Sequence, residues 1–237
     1  MSSSSSSDYP PGVSGGKFSP DGKPLPFAGN TLLMHLSPTS ATYTYLLQLH
    51  EALRTSSMSH LYTLLPPPSW HMTIFEGVCD QVRDAEHWPR DLAQNAPLDE
   101  VTEDFSRRLS DFSLEDDGPP YLMMINGLDP LEVGIGIHLE ARTQDEERRL
   151  RRLRDLLAER LKLKMPNHDN YGLHISIAYL LRRLTEEQER ELKGLVTRVL
   201  AWGPKEFELG APEFCTFADM CKFDRKFYVG LEEEKKL

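Results

Sequence analysis

Two short apolar segments each carry a histidine, one spacer, then a hydroxyl residue and an apolar residue: His71-Met72-Thr73-Ile74 and His174-Ile175-Ser176-Ile177. Both lie inside runs that read as β-strands, Trp70 to Phe75 and Leu173 to Leu180, in opposite halves of a 237-residue chain. Alternate side chains of a strand share a face, so His71 and Thr73 point the same way, about 6–7 Å apart along the strand. His174 and Ser176 do likewise. Met72, Ile74, Ile175 and Ile177 then face a core. A third segment, His35-Leu36-Ser37, satisfies three of the four positions, but Pro38 ends its strand.

The remaining chain supplies the frame. Residues 1–26 are rich in Ser, Pro and Gly and read as a disordered or turn-rich tail. Residues 27–237 read as one bilobal domain. Its elements are a strand from Asn30 to Leu36, a helix from Ala41 to Arg54 capped by Thr39 or Ser40, and a short strand at Leu61 to Leu64. A helix over 97–113 precedes a hairpin of Tyr121 to Ile125 and Leu131 to Leu139. Thr143 with Glu146, and Thr185 with Gln188, read as capping boxes for helices reaching Lys164 and Leu200. The arginines Arg148, Arg149, Arg151, Arg152 and Arg154 read as a solvated face. Two or three antiparallel strands follow from Lys205 to Val229. Paired strands broken by single helices predict an α+β fold rather than a wound parallel sheet.

If the two histidine strands lie side by side, one groove receives two imidazoles and two hydroxyls. An imidazole with a reference pKa near 6.5 gives or takes a proton at neutral pH, so two of them can divide acid and base work at a phosphate. The Thr73 and Ser176 hydroxyls would donate to non-bridging oxygens, where charge concentrates. No Asp, Glu or Cys is expected on either strand face, so a metal centre is not expected there. Alternation places the aromatic Phe75 on the His71 face, where it is expected to line the groove, and Trp70 and Tyr179 on the opposite face. His50, His60, His87, His138 and His168 have no comparable context.

Composition narrows the ligand. With 27 basic against 37 acidic residues the formal charge is -10, unlike proteins that neutralise many phosphates of a long nucleic acid. A single small phosphate remains compatible with it. Three cysteines without metal-ligand spacing favour a reducing compartment, and no signal-like or membrane-spanning run is present. A cytoplasmic monomer without cofactor is the expectation.

These motifs resemble those of the 2H phosphoesterase superfamily, from about residue 27 onward. The stretches PFAGNTLLMHL and PPPSWHMTIFEGVCDQVR are similar to a less characterised bacterial and fungal branch. The resemblance implies two pseudo-symmetric antiparallel sheets around a central groove with helices outside. It implies His71 and His174 as the acid–base pair, Thr73 and Ser176 as phosphate ligands, and Tyr171 along the groove. It also implies metal-independent hydrolysis of a 2′,3′-cyclic phosphate on a nucleotide or short RNA end. A non-catalytic nucleotide sensor and a 2′-5′ RNA ligase are the family's alternatives. Residues 76 to 97 depart from the pattern and could form a lid or pack against a lobe.

Overall fold

The computed structural model describes residues 8–114 and 118–231. Its strands are β1 (Gly29–His35), β2 (Tyr62–Leu64), β3 (His71–Cys79), β4 (Tyr121–Leu128), β5 (Gly134–Ala141), β6 (His174–Leu180), β7 (Glu206–Leu209), β8 (Glu213–Asp219) and β9 (Lys222–Tyr228). The helices are α1 (Pro11–Ser14), α2 (Ala41–Arg54), α3 (Leu98–Leu109), α4 (Gln144–Leu161) and α5 (Glu186–Leu200). The α+β class agrees with the sequence expectation. The sheet does not divide in two: all nine strands join one antiparallel sheet in the order β7-β4-β5-β6-β3-β1-β8-β9, with β2 on β6.

A local unit recurs within that sheet. In β1-α2-β3, where the short β2 intervenes after the helix, and again in β5-α4-β6, a strand, a helix and a histidine strand come in that order, and the two outer strands of each unit pair antiparallel. His35 lies opposite His71 and His138 opposite His174, so both units place two histidines on neighbouring strands at the same 36-residue separation. The units meet where Met72 pairs with Ile175, the one ladder pair between β3 and β6.

Helix ends follow local chemistry. Ser40 caps α2 by accepting from the Tyr43 N–H, and Thr185 with Gln188 forms a complete capping box. Thr143 accepts from Glu146, but the Glu146 side chain is drawn to Arg149 at 2.9 Å, so the second half of that box is not made. Helix α4 stops at Leu161 because Lys162 adopts a left-handed conformation.

Two expectations are corrected by packing. Arg154 is not on a solvated face; it is 1% exposed, beneath β3. Residues from Tyr9 to Phe27 are not a free tail, whereas residues 1–7 lie outside the described residues. Phe18 and Phe27 are buried with Leu65, Leu181 and Met220. The Thr63 hydroxyl donates to the Gly22 carbonyl at 3.1 Å, and the Phe27 N–H to that of Ala218 at 2.8 Å. This strap runs from the β6 side of the sheet to β8. Residues 76–97 extend β3 to Cys79 and then pack inward, with Trp88 1% exposed and its indole N–H donated to the Ala93 carbonyl. No helix among the described residues is long and apolar enough to cross a membrane.

Candidate functional site

The register fixes how the two histidine strands face each other. Extended from Met72–Ile175, it sets His71 across from Ser176 and Thr73 across from His174. His71 and His174 are then diagonal neighbours, about 7–8 Å apart at the backbone, which leaves room for a phosphate between the rings. All four side chains line one cavity of about 670 Å³, together with Tyr171.

Each strand also holds its imidazole in one orientation. His71 Nδ1 lies 2.6 Å from the Ser69 carbonyl, and His174 Nδ1 lies 3.2 Å from the Gly172 carbonyl. A carbonyl only accepts, so Nδ1 carries the proton in both rings and Nε2 is the nitrogen left for chemistry. Burial pushes the His71 imidazolium down to about 4, aided by the neighbouring His35 and His174 and opposed by the Ser69 carbonyl. His71 is therefore neutral near pH 7.

The partner histidines extend the site. His35 Nδ1 contacts the Glu213 carboxylate at 2.8 Å, and Arg225 lies 3.4 Å from the same oxygen. His138 Nδ1 contacts Asp129 at 2.8 Å, while the other Asp129 oxygen is 3.8 Å from His174 Nδ1. A carboxylate so placed supplies a counter-charge to the His174 ring whenever both of its nitrogens are protonated. Neither His35 nor His138 completes a four-residue motif. The signal that marks them is their equal spacing from His71 and His174.

Strand alternation fails at one point in each motif strand, for one reason. Leu33 pairs with Thr73 but Leu32 pairs with Phe75, so Ile74 is an extra residue; Ile177 is likewise extra between Ser176 and Ala178. Each bulge turns the following residues by one position. Phe75 therefore leaves the groove for the core, 1% exposed, with its ring 6.1 Å from His168. Glu76 takes its place on the groove wall, and Tyr179 does so on β6. Phe75 as a groove residue and Tyr179 as an outward one are both corrected. So is the absence of a carboxylate from these faces. Trp70 does face away, fully buried.

Tyr171 sits 6.4 Å from the His174 ring, with the Arg154 guanidinium 4.2 Å over its face. Burial, then the Glu76 charge, pushes its phenol well above the ordinary value, with Arg154 and Thr73 pulling the other way. The phenol thus stays a neutral hydrogen-bonding group. His87 lines the cavity edge, paired with Asp84 at 2.7 Å. Among the described residues, two clusters offer metal-type donors, His35–Glu213–Cys215 and Asp155–His168–Asp169. In the first, Arg225 already neutralises the carboxylate, which disfavours a second cation.

A conserved protein of unknown function from Agrobacterium tumefaciens str. C58, ATU0111, has a solved structure similar to this chain: TM-score 0.85, 28% identity, 97% of each chain covered. TT0787 of Thermus thermophilus gives a TM-score of 0.47 at 14% identity, over 86% of this chain and 99% of its own. No curated protein matches. A family model described as 2H-phosphodiest, a domain of unknown function (DUF1868), matches residues 17–134, about half of the chain. That match contains the first histidine strand, and the sheet brings the second one beside it. The chain belongs to the 2H phosphoesterase family.

Proposed function

We propose that this protein is a metal-independent phosphodiesterase that opens a 2′,3′-cyclic phosphate on a nucleotide or short RNA end. The observation that carries the reading is the junction at Met72–Ile175, which gathers two Nδ1-anchored imidazoles and two hydroxyls in one cavity. His71, neutral near pH 7, takes a proton from water on Nε2 while the water oxygen bonds to phosphorus. The P–O bond to one ribose oxygen breaks, and His174 gives that oxygen its Nε2 proton. The product is a monophosphate with one free hydroxyl, and the two histidines have exchanged protonation states. Thr73 and Ser176 donate to the non-bridging oxygens as charge builds on them. The Asp129 carboxylate lies 3.8 Å from His174 Nδ1, on the nitrogen that does not face the leaving oxygen.

The cavity favours a small substrate. The strap contributes Gly15, Lys17 and Phe27 to its lining, so the space away from the histidines is partly enclosed. That agrees with the acidic charge, which suits one phosphate better than a polymer.

The test is incubation of purified protein with 2′,3′-cyclic nucleotides in excess EDTA, with the monophosphate product followed by chromatography. Steady multiple turnover is the expected result. Binding with no product over hours would replace the hydrolase with a nucleotide sensor. Joining of RNA ends without hydrolysis would replace it with a ligase.

A further inference from the structure

Two charged side chains in the cavity have no part in the two-histidine chemistry. Glu76 reaches the groove wall because of the bulge after Thr73, and its Oε2 is buried there without a hydrogen-bond partner. Burial pushes this carboxyl up, with Arg154, Asn167 and Lys17 opposing that shift. Lys17 enters on the strap, with its Nζ 5.4 Å over the rings of both Phe27 and Tyr179. It makes no ion pair among the described residues. A carboxylate repels a phosphate, so Glu76 does not serve the phosphate itself. Its place along β3 gives it a different object. From Thr73 to Glu76, allowing for the bulged residue, the strand advances about 7–10 Å. That span is comparable with the reach from a ribose phosphate to the pairing edge of its base.

We infer that Glu76 reads the pairing edge of the substrate's base and selects guanine. This rests on the phosphodiesterase reading for the position of the phosphate. Guanine alone among the four RNA bases presents two adjacent N–H donors, N1–H and N2–H, to a carboxylate, which only accepts. Its O6 is the neighbouring acceptor, and Lys17 supplies a donor lining the same cavity. Adenine and cytosine set a ring-nitrogen lone pair beside the amino group. Uracil flanks N3–H with two carbonyls. In these three, one carboxylate oxygen meets a lone pair, and a buried acceptor left facing an acceptor discriminates strongly.

The experiment measures calorimetric affinity for the four nucleoside 3′-monophosphates, and kcat/KM for the four 2′,3′-cyclic nucleotides, in wild type and Glu76→Gln. Glutamine keeps the size of the side chain but replaces one acceptor by a donor. Wild type is expected to prefer guanine by at least about 10-fold, and Glu76→Gln to lose about 10- to 100-fold for guanine with under about 3-fold change for the others. Glu76→Asp, which keeps the acceptors on a shorter stem, should retain the guanine preference at reduced affinity. Equal affinity for the four bases in wild type, equal losses in Glu76→Gln, or no binding of any nucleotide would each overturn the inference. Guanine-selective binding without turnover would uphold it and refute the hydrolase, whereas turnover without base preference would refute it alone.

Discussion

Replacing His71 or His174 by alanine is expected to lower kcat/KM for a 2′,3′-cyclic nucleotide by about 10³-fold in either case, the middle of the range for a positioned acid or base. The double variant should lose much less than the product of the two single losses. A base that cannot be matched by an acid contributes little, so residues acting as a unit are strongly non-additive. Structure makes the interpretation clean. Both imidazoles line the cavity wall, and the hydrogen bonds they make are Nδ1 contacts with carbonyls two residues back. Alanine at either position should therefore leave the thermal midpoint close to that of the wild type. Initial rates with purified, folded variants check this. A single variant retaining more than a tenth of wild-type kcat/KM would remove that histidine from the chemistry.

Arg154→Ala is expected to produce the largest loss of stability among substitutions near the site. The side chain is 1% exposed and donates to the Ile74 carbonyl at 2.6 Å and to the His168 carbonyl at 3.3 Å. Its guanidinium also covers the Tyr171 ring at 4.2 Å. One residue on α4 thus ties together the bulge of the first motif strand, the turn before the second, and an aromatic wall of the cavity. Alanine would leave two buried carbonyls unpaired, remove the cation facing Glu76 and open a void. The cost should be about 3 kcal/mol. For a chain of this size that is a fall of about 6–12 °C in Tm. Thermal unfolding of Arg154→Ala beside Arg148→Ala checks the assignment. Arg148 is exposed, and its ion pair with Asp145 should be worth under about 1 kcal/mol. Equal shifts for the two variants would contradict a structural role for Arg154.

The parts of the fold legible in sequence are those governed by local rules. Helix α2 has the bounds that its apolar spacing and Ser40 cap predict, and the histidine strands sit where their apolar runs place them. The motif residues His71, Thr73, His174 and Ser176 do share one cavity with Tyr171. What the sequence hides depends on pairing between distant segments. A single extra residue in β3 and one in β6 reverse the expected faces of Phe75 and Tyr179 and put Glu76 on the groove wall. No local pattern announces a bulge, because it is a mismatch in count between two strands. His35 fails the motif because Pro38 ends its strand soon after it, yet its partner is the neighbouring strand, which brings it opposite His71. Arg154 reads as one more charge on a helix rich in arginine. Only the packing of α4 against β3 shows that it points inward.

The pH dependence of kcat/KM, measured in EDTA with a 2′,3′-cyclic nucleotide, tests the division of labour between the two histidines most directly. This parameter follows the ionisations of the free enzyme. His71 must be unprotonated to accept a proton, and burial holds its imidazolium down to about 4. The rate should therefore persist below pH 6.5 and fall only as pH drops through about 4, when His71 takes up a proton. In His71→Ala the acid limb near pH 4 should vanish. A profile flat from pH 3 to 9, or an acid limb that survives unchanged in His71→Ala, would contradict the two-histidine account.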